Sequence, residues 1–131
     1  MQGYGYSIWA VPVNYKIIQN RYGMKHTPHV TLSTNHLTIP DQINYDQKVE
    51  IEFKDKHLYR FPIMYDYDPI DTISVGFYCK INGYNDPNLH MTLFYDFSGN
   101  YNDFMGPNEI LEAIVYRADT RSLEPSEWIF F

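Results

Sequence analysis

The chain has a single cysteine, no long apolar run and no surplus of positive charge, and each shortage removes a class of protein. Cys79 alone excludes an intrachain disulfide and a Cys-x-x-Cys centre, and its neighbours Val75, Phe77 and Ile81 mark it as a buried thiol in a reducing compartment. The longest apolar-looking stretch, Tyr6 to Val13, falls far short of the roughly 20 residues that cross a bilayer. With no charged-then-apolar leader either, the expectation is a soluble cytoplasmic protein with no membrane partner. Lys and Arg number 10 against 16 Asp and Glu, a net charge of −6. The basic stripe that would exchange for counterions along a duplex is missing, so the nucleic-acid partner to expect is a small or terminal nucleotide, not a long duplex. The 7 glycines never form a phosphate-cradling loop, and no cofactor motif is present.

What is present is aromatic and strand-forming. Aromatic residues make up 18% of the 131 residues, with 13 Tyr, which excludes a disordered chain and favours sheet. The length fits one domain, 1–131, without a linker or composition break. Strands are expected near Tyr4 to Val13, His29 to Thr34, Val49 to Phe53, Leu58 to Tyr65, Thr72 to Ile81, Leu89 to Asp96, Glu109 to Arg117 and Trp128 to Phe131. Asn14 is placed to cap a short helix through Tyr22, closed by Gly23. Asn35 to Gln47 is a loop or a brief helical turn opened by Pro40 and Asp41; Asp66 to Asp71, Asn82 to Leu89 and Phe97 to Asn108 are expected as turns or loops. The class is α+β with more strand than helix.

The tetrapeptide His-x-Thr-Leu occurs twice, as His29-Val30-Thr31-Leu32 and as His90-Met91-Thr92-Leu93. Composition alone would produce one copy with a frequency on the order of 0.01, so two copies are not an accident of composition. In a strand, alternate residues share a face, so His29 pairs with Thr31 and His90 with Thr92, each on an apolar footing. An imidazole beside a hydroxyl is a proton carrier beside a hydrogen-bond donor. Two such pairs across a groove supply what in-line opening of a phosphodiester requires. One imidazole takes the proton of the attacking oxygen, the other gives a proton to the departing one, and the hydroxyls hold the non-bridging oxygens, without a metal.

With these motifs, the preceding Pro28 and the opening strand Tyr6-Ser7-Ile8-Trp9-Ala10-Val11-Pro12, the chain resembles the 2H phosphoesterases, the LigT-like superfamily named for two His-x-Thr/Ser motifs. The resemblance implies a bilobal α+β fold with pseudo-twofold symmetry, a central groove and metal-independent phosphodiester cleavage. It carries over His29, Thr31, His90 and Thr92 as catalytic residues. The short turn before the second motif, in place of a long helix, departs from larger relatives and resembles compact viral and phage members, including those that destroy cyclic oligonucleotide signals. For a viral member the compartment is the host cytoplasm.

The function expected is therefore cleavage of a small RNA-like or cyclic nucleotide, with 2′,3′-cyclic, 2′-5′ or 3′-5′ linkages. The alternative is a module on the same fold that binds nucleotides without cutting them. Tyr6 and Phe94 are candidates for substrate contact, Phe94 because it shares a face with His90 and Thr92 if the strand stays regular. Lys25 is a possible phosphate neighbour, though a solvated turn residue is the simpler account. His26 and His29 are three apart, a spacing seen in metal pairs, but no further ligands are evident and no metal is expected. His36 and His57 read as surface residues.

Overall fold

Alternation along the first strand, β1 (Tyr6–Pro12), puts Ile8 and Ala10 into one cluster of buried side chains and Trp9 and Val11 into another. That division organises the whole molecule. The computed structural model describes residues 5–40, 47–54, 57–62, 73–95, 106–107 and 109–131. The turn expected at 66–71 and most of the loop at 97–108 fall outside them, as does the end expected for the strand beginning at Leu58.

Helix α1 (Tyr15–Tyr22) follows β1, burying Ile18, and closes at Gly23 in the left-handed region (φ 66). Asn14 stands at its start, but its side chain makes no capping bond, contrary to expectation. The reason is its backbone, at φ −95 and ψ 36, outside the extended region from which a cap side chain folds back on the first turn. The remaining strands are β2 (Val30–His36), β3 (Lys48–Phe53), β4 (Tyr59–Pro62), β5 (Ile73–Ile81), β6 (His90–Phe94), β7 (Leu111–Asp119) and β8 (Ile129–Phe130). A 3-10 turn at Pro125–Glu127, not foreseen from the sequence, leads into β8. No helix among the described residues is long and apolar enough to cross a membrane.

The strands hydrogen-bond in the order β1-β2-β6-β5-β3-β7, and β7 pairs back onto β1, so six antiparallel strands close into a barrel. β4 extends from β5 and β8 from β7. A barrel this small is filled by its own side chains. Ile8, Val30, Ile51, Phe77, Leu93 and Val115 occupy the main cluster, joined by Ile18 of α1. Full burial of each such side chain contributes about 1.5–3 kcal/mol. Cys79 lies in the same cluster, fully buried as expected, and burial pushes its thiol up to about 12, which keeps it protonated and unreactive.

The seams of the barrel are unequal. β1 and β7 pair at seven positions from Tyr6↔Asp119 to Pro12↔Ala113, whereas β2 and β6 meet at one, Val30↔Met91. On the far side of β6, Gly76 of β5 lies across from Thr92 beside a register shift between Val75 and Gly76. A Cβ at Gly76 would lie 2.2 Å from the Met91 carbonyl oxygen and 2.8 Å from Thr92 Cα. Only glycine allows this approach, because the obstructing atoms are backbone and cannot swing away.

Two substitutions separate close approach from backbone conformation. Gly76→Ala is expected to destabilise the fold by about 3 kcal/mol, at the upper end of overpacking costs. Gly23→Ala, where nothing lies within 4 Å, should cost only about 1–2 kcal/mol for its left-handed backbone. Urea denaturation measures both; an equal or smaller loss at Gly76 would contradict the close-approach argument.

Candidate active site at the β2–β6 seam

The two motifs, 61 positions apart in sequence, are brought onto adjacent strands, His29 immediately before β2 and His90 opening β6. The antiparallel pair Val30↔Met91 sets Thr31 across from His90 and His29 across from Thr92. Directly opposed side chains on one face of such a pair have Cβ atoms about 4.5–5.5 Å apart. Val30 and Met91 point into the main core, so the four polar side chains share the opposite face. Each motif is thus the partner of the other, related by a local twofold axis between Val30 and Met91. The neighbouring strands continue the row: Trp9 of β1 lies across from Thr31, and Tyr78 of β5 across from His90.

The same device orients both imidazoles. His29 Nδ1–H donates to the Thr27 carbonyl at 2.8 Å, and His90 Nδ1–H donates to the Asn88 carbonyl at 2.8 Å. A carbonyl only accepts, so Nδ1 must carry the hydrogen in each ring, and in the neutral ring the lone pair falls on Nε2. The turn from Asn82 to Leu89 supplies the second carbonyl. It is built as expected, with Gly83 at φ 92 and the Asp86 carboxylate accepting from the Asn88 backbone N–H at 2.8 Å.

The two rings differ in surroundings. His29 is only 4% exposed and lies flat on the Trp9 indole, with ring centroids 3.7 Å apart and planes within 10°. Trp128 stands edge-on at 6.2 Å, its Nε1–H anchored to the Ser122 carbonyl at 2.7 Å. Burial first, then the charges of His26 and His90, push His29 down to about 3 against the pull of the Thr27 carbonyl, so at neutral pH it is an uncharged base. His90 is half-buried. Trp9 itself is 1% exposed, and its indole N–H has no hydrogen-bond partner among the described residues. Such an orphan costs roughly 1–3 kcal/mol, so Trp9 holds its place for the face it presents.

His26 belongs to the same group. Its Nε2–H donates to the Thr92 carbonyl at 2.8 Å, and its ring meets His29 edge-on at 5.8 Å and Tyr95 at 5.0 Å. Burial holds it down to about 4. His26 and His29, three apart in sequence, each commit one ring nitrogen to a backbone carbonyl. Among the described residues no three His, Cys, Asp or Glu side chains gather to hold a metal ion.

The other candidates fall elsewhere. Tyr6 lies at the opposite end of β1, across from His36 and Asp119, with the Arg121 guanidinium 4.8 Å over its ring. Phe94 pairs with Val75 beyond the register shift and packs against the main core. Neither is drawn into the row formed by Trp9, Thr31, His90 and Tyr78. Lys25 and His57 are exposed, whereas His36 is half-buried with Nε2 2.6 Å from the Ser33 hydroxyl. The aromatic shell of Trp9, Tyr95 and Trp128 has no local signature, since Trp128 reaches His29 only after the chain's long return along β7.

Two imidazoles held neutral by burial make folding pH-dependent. Their folded values of about 3 and about 4 lie below the ordinary 6.5, so the unfolded chain binds more protons between these limits. Their contribution is complete above pH 6.5 and declines on acidification, each by up to about 1.4 kcal/mol per pH unit. Thermal unfolding at pH 7.5 and 5 should show this loss, and His26→Phe should flatten the profile; an equally steep profile in that variant would contradict the assignment. No family model, curated protein or solved structure matches the chain.

Proposed function

We propose that this protein is a 2H-type phosphodiesterase that opens a small RNA-like or cyclic nucleotide at the β2–β6 seam without a metal. The observation that carries this is the pairing of two oppositely running His-x-Thr segments across Val30↔Met91, each ring presented by a 2.8 Å bond from Nδ1 to a carbonyl two residues earlier. Opposed histidines on such strands lie diagonally, roughly 7–8 Å apart, which leaves room for one phosphate between them. In this reading the closed barrel is the compact form of the bilobal fold, the local twofold axis is the remnant of its pseudo-symmetry, and the polar face of β2 and β6 is the floor of its groove.

The burial of His29 assigns the roles. For a linkage beside a ribose hydroxyl, His29 Nε2 takes the proton from that hydroxyl as its oxygen bonds to phosphorus. The bond from phosphorus to the leaving oxygen breaks, and His90 in its charged form gives that oxygen a proton. Thr31 and Thr92 hydroxyls donate to the non-bridging oxygens as charge grows on them. The product is a cyclic phosphate and a free alcohol; hydrolysis of the cyclic phosphate runs with the roles exchanged. The arriving phosphate monoanion favours the charged form of His29 and so strengthens it as a base at the moment it is needed.

The depth of His29 also favours the alternative of a nucleotide-sequestering module, because a base held near 3 is weak. Product analysis separates the two. Incubation with 2′-5′, 3′-5′ and cyclic nucleotides in EDTA should yield cleaved products, and intact recovery after binding measured by calorimetry would establish sequestration instead. His29→Ala and His90→Ala should each lower kcat by about 10²–10⁴; retention within about tenfold would exclude proton transfer by that residue. Because His29 stays neutral well below neutrality, the acid limb of kcat/KM is expected below pH 5. A limb centred near 6.5 would contradict His29 as the base.

A further inference from the structure

We propose that His26 is a positioning residue of this site: its ring ties the segment before β2 to the Thr92 carbonyl on β6 and sets the distance between the two motifs. The inference rests on the function proposed above. β2 and β6 share a single register pair, so the backbone ladder alone holds the motif strands weakly. His26 adds a second connection one residue along β6 from Met91, through its 2.8 Å bond to Thr92. The His26 backbone is itself held, since the Gln19 side-chain amide of α1 donates to its carbonyl at 3.2 Å. A continuous tie thus runs from the helix through His26 to the residue that faces His29. The ring is 4% exposed and wedged between His29 and Tyr95, so it has little freedom to move independently.

His26 differs from the motif histidines in the nitrogen it commits. It donates through Nε2, whereas His29 and His90 donate through Nδ1. The nitrogen that would meet a phosphate in the other two rings is here spent on the protein, so His26 holds Thr92 in place and does not transfer protons. Displacements of about 1 Å at a reacting centre can cost a factor of 10² in rate, enough for a tie of this kind to matter.

The test compares His26→Phe, which keeps a ring but loses the donor, with His26→Gln, whose amide nitrogen reaches in the same direction as Nε2. In His26→Phe, kcat should fall about 10–100-fold with KM within about threefold of the parent, while His26→Gln should retain kcat within about threefold. Amide hydrogen exchange at Met91 and Thr92 should quicken in the Phe variant and stay near the parent in the Gln variant. Parental kcat in His26→Phe, or loss in the Gln variant equal to that in Phe, would overturn the proposal. If the parent protein cleaves nothing in the nucleotide panel, the phosphodiesterase reading fails by itself, and the tie is judged by exchange alone: unchanged exchange in His26→Phe overturns it.

Discussion

Everything at the candidate site depends on one antiparallel contact, Val30 against Met91. Because the side-chain period of a strand is two, that single pairing decides which faces the motifs present. A slip of one residue would carry one histidine and its threonine into the barrel core and bring Val or Met to the surface. The register is held indirectly. Val30 and Met91 are almost fully buried among apolar neighbours, so exchanging either for a polar partner is prohibitively costly. The core therefore specifies the site, even though none of its members belongs to the polar row.

Much of this was legible in the amino-acid order, and the parts that were not share a physical cause. The repeated His-x-Thr-Leu and the rule of alternation were enough to place four polar side chains on apolar footings, and Gly23 to close the helix. Both are local matters. Phe94 shows where local reasoning stops. Its place beside His90 and Thr92 required an unbroken pairing, and beyond the shift between Val75 and Gly76 it is half-buried and packs against the main core. Tyr6 likewise lies across from His36 and Asp119, at the end of β1 away from the motif pairing, a fact hidden until the strand's partners are known. Nor does Asn14 declare from its identity that its backbone will leave the capping geometry.

The asymmetry between the two histidines belongs to the same class. Their local settings are nearly identical, down to the carbonyl two residues upstream that each ring uses. What separates them is Trp9 beneath His29 and Trp128 at its edge, contributed by the first strand and the far C-terminal segment. Burial by distant aromatics sets His29 apart from its counterpart and, in the proposed reaction, makes it the base. The same burial carries a cost in acid stability and leaves the Trp9 indole N–H without a partner among the described residues. Sites that concentrate such local losses are where chemistry is commonly found.

The central claim is that two imidazoles from distant parts of the chain address one phosphate. Imidazole nitrogen NMR during titration with adenosine 2′-monophosphate tests it most directly. The account predicts that the Nε2 resonances of His29 and His90 shift together along one binding isotherm, while His26 Nε2, committed to the Thr92 carbonyl, moves little. Shifts at only one of the two motif histidines, or separate isotherms for them, would contradict it.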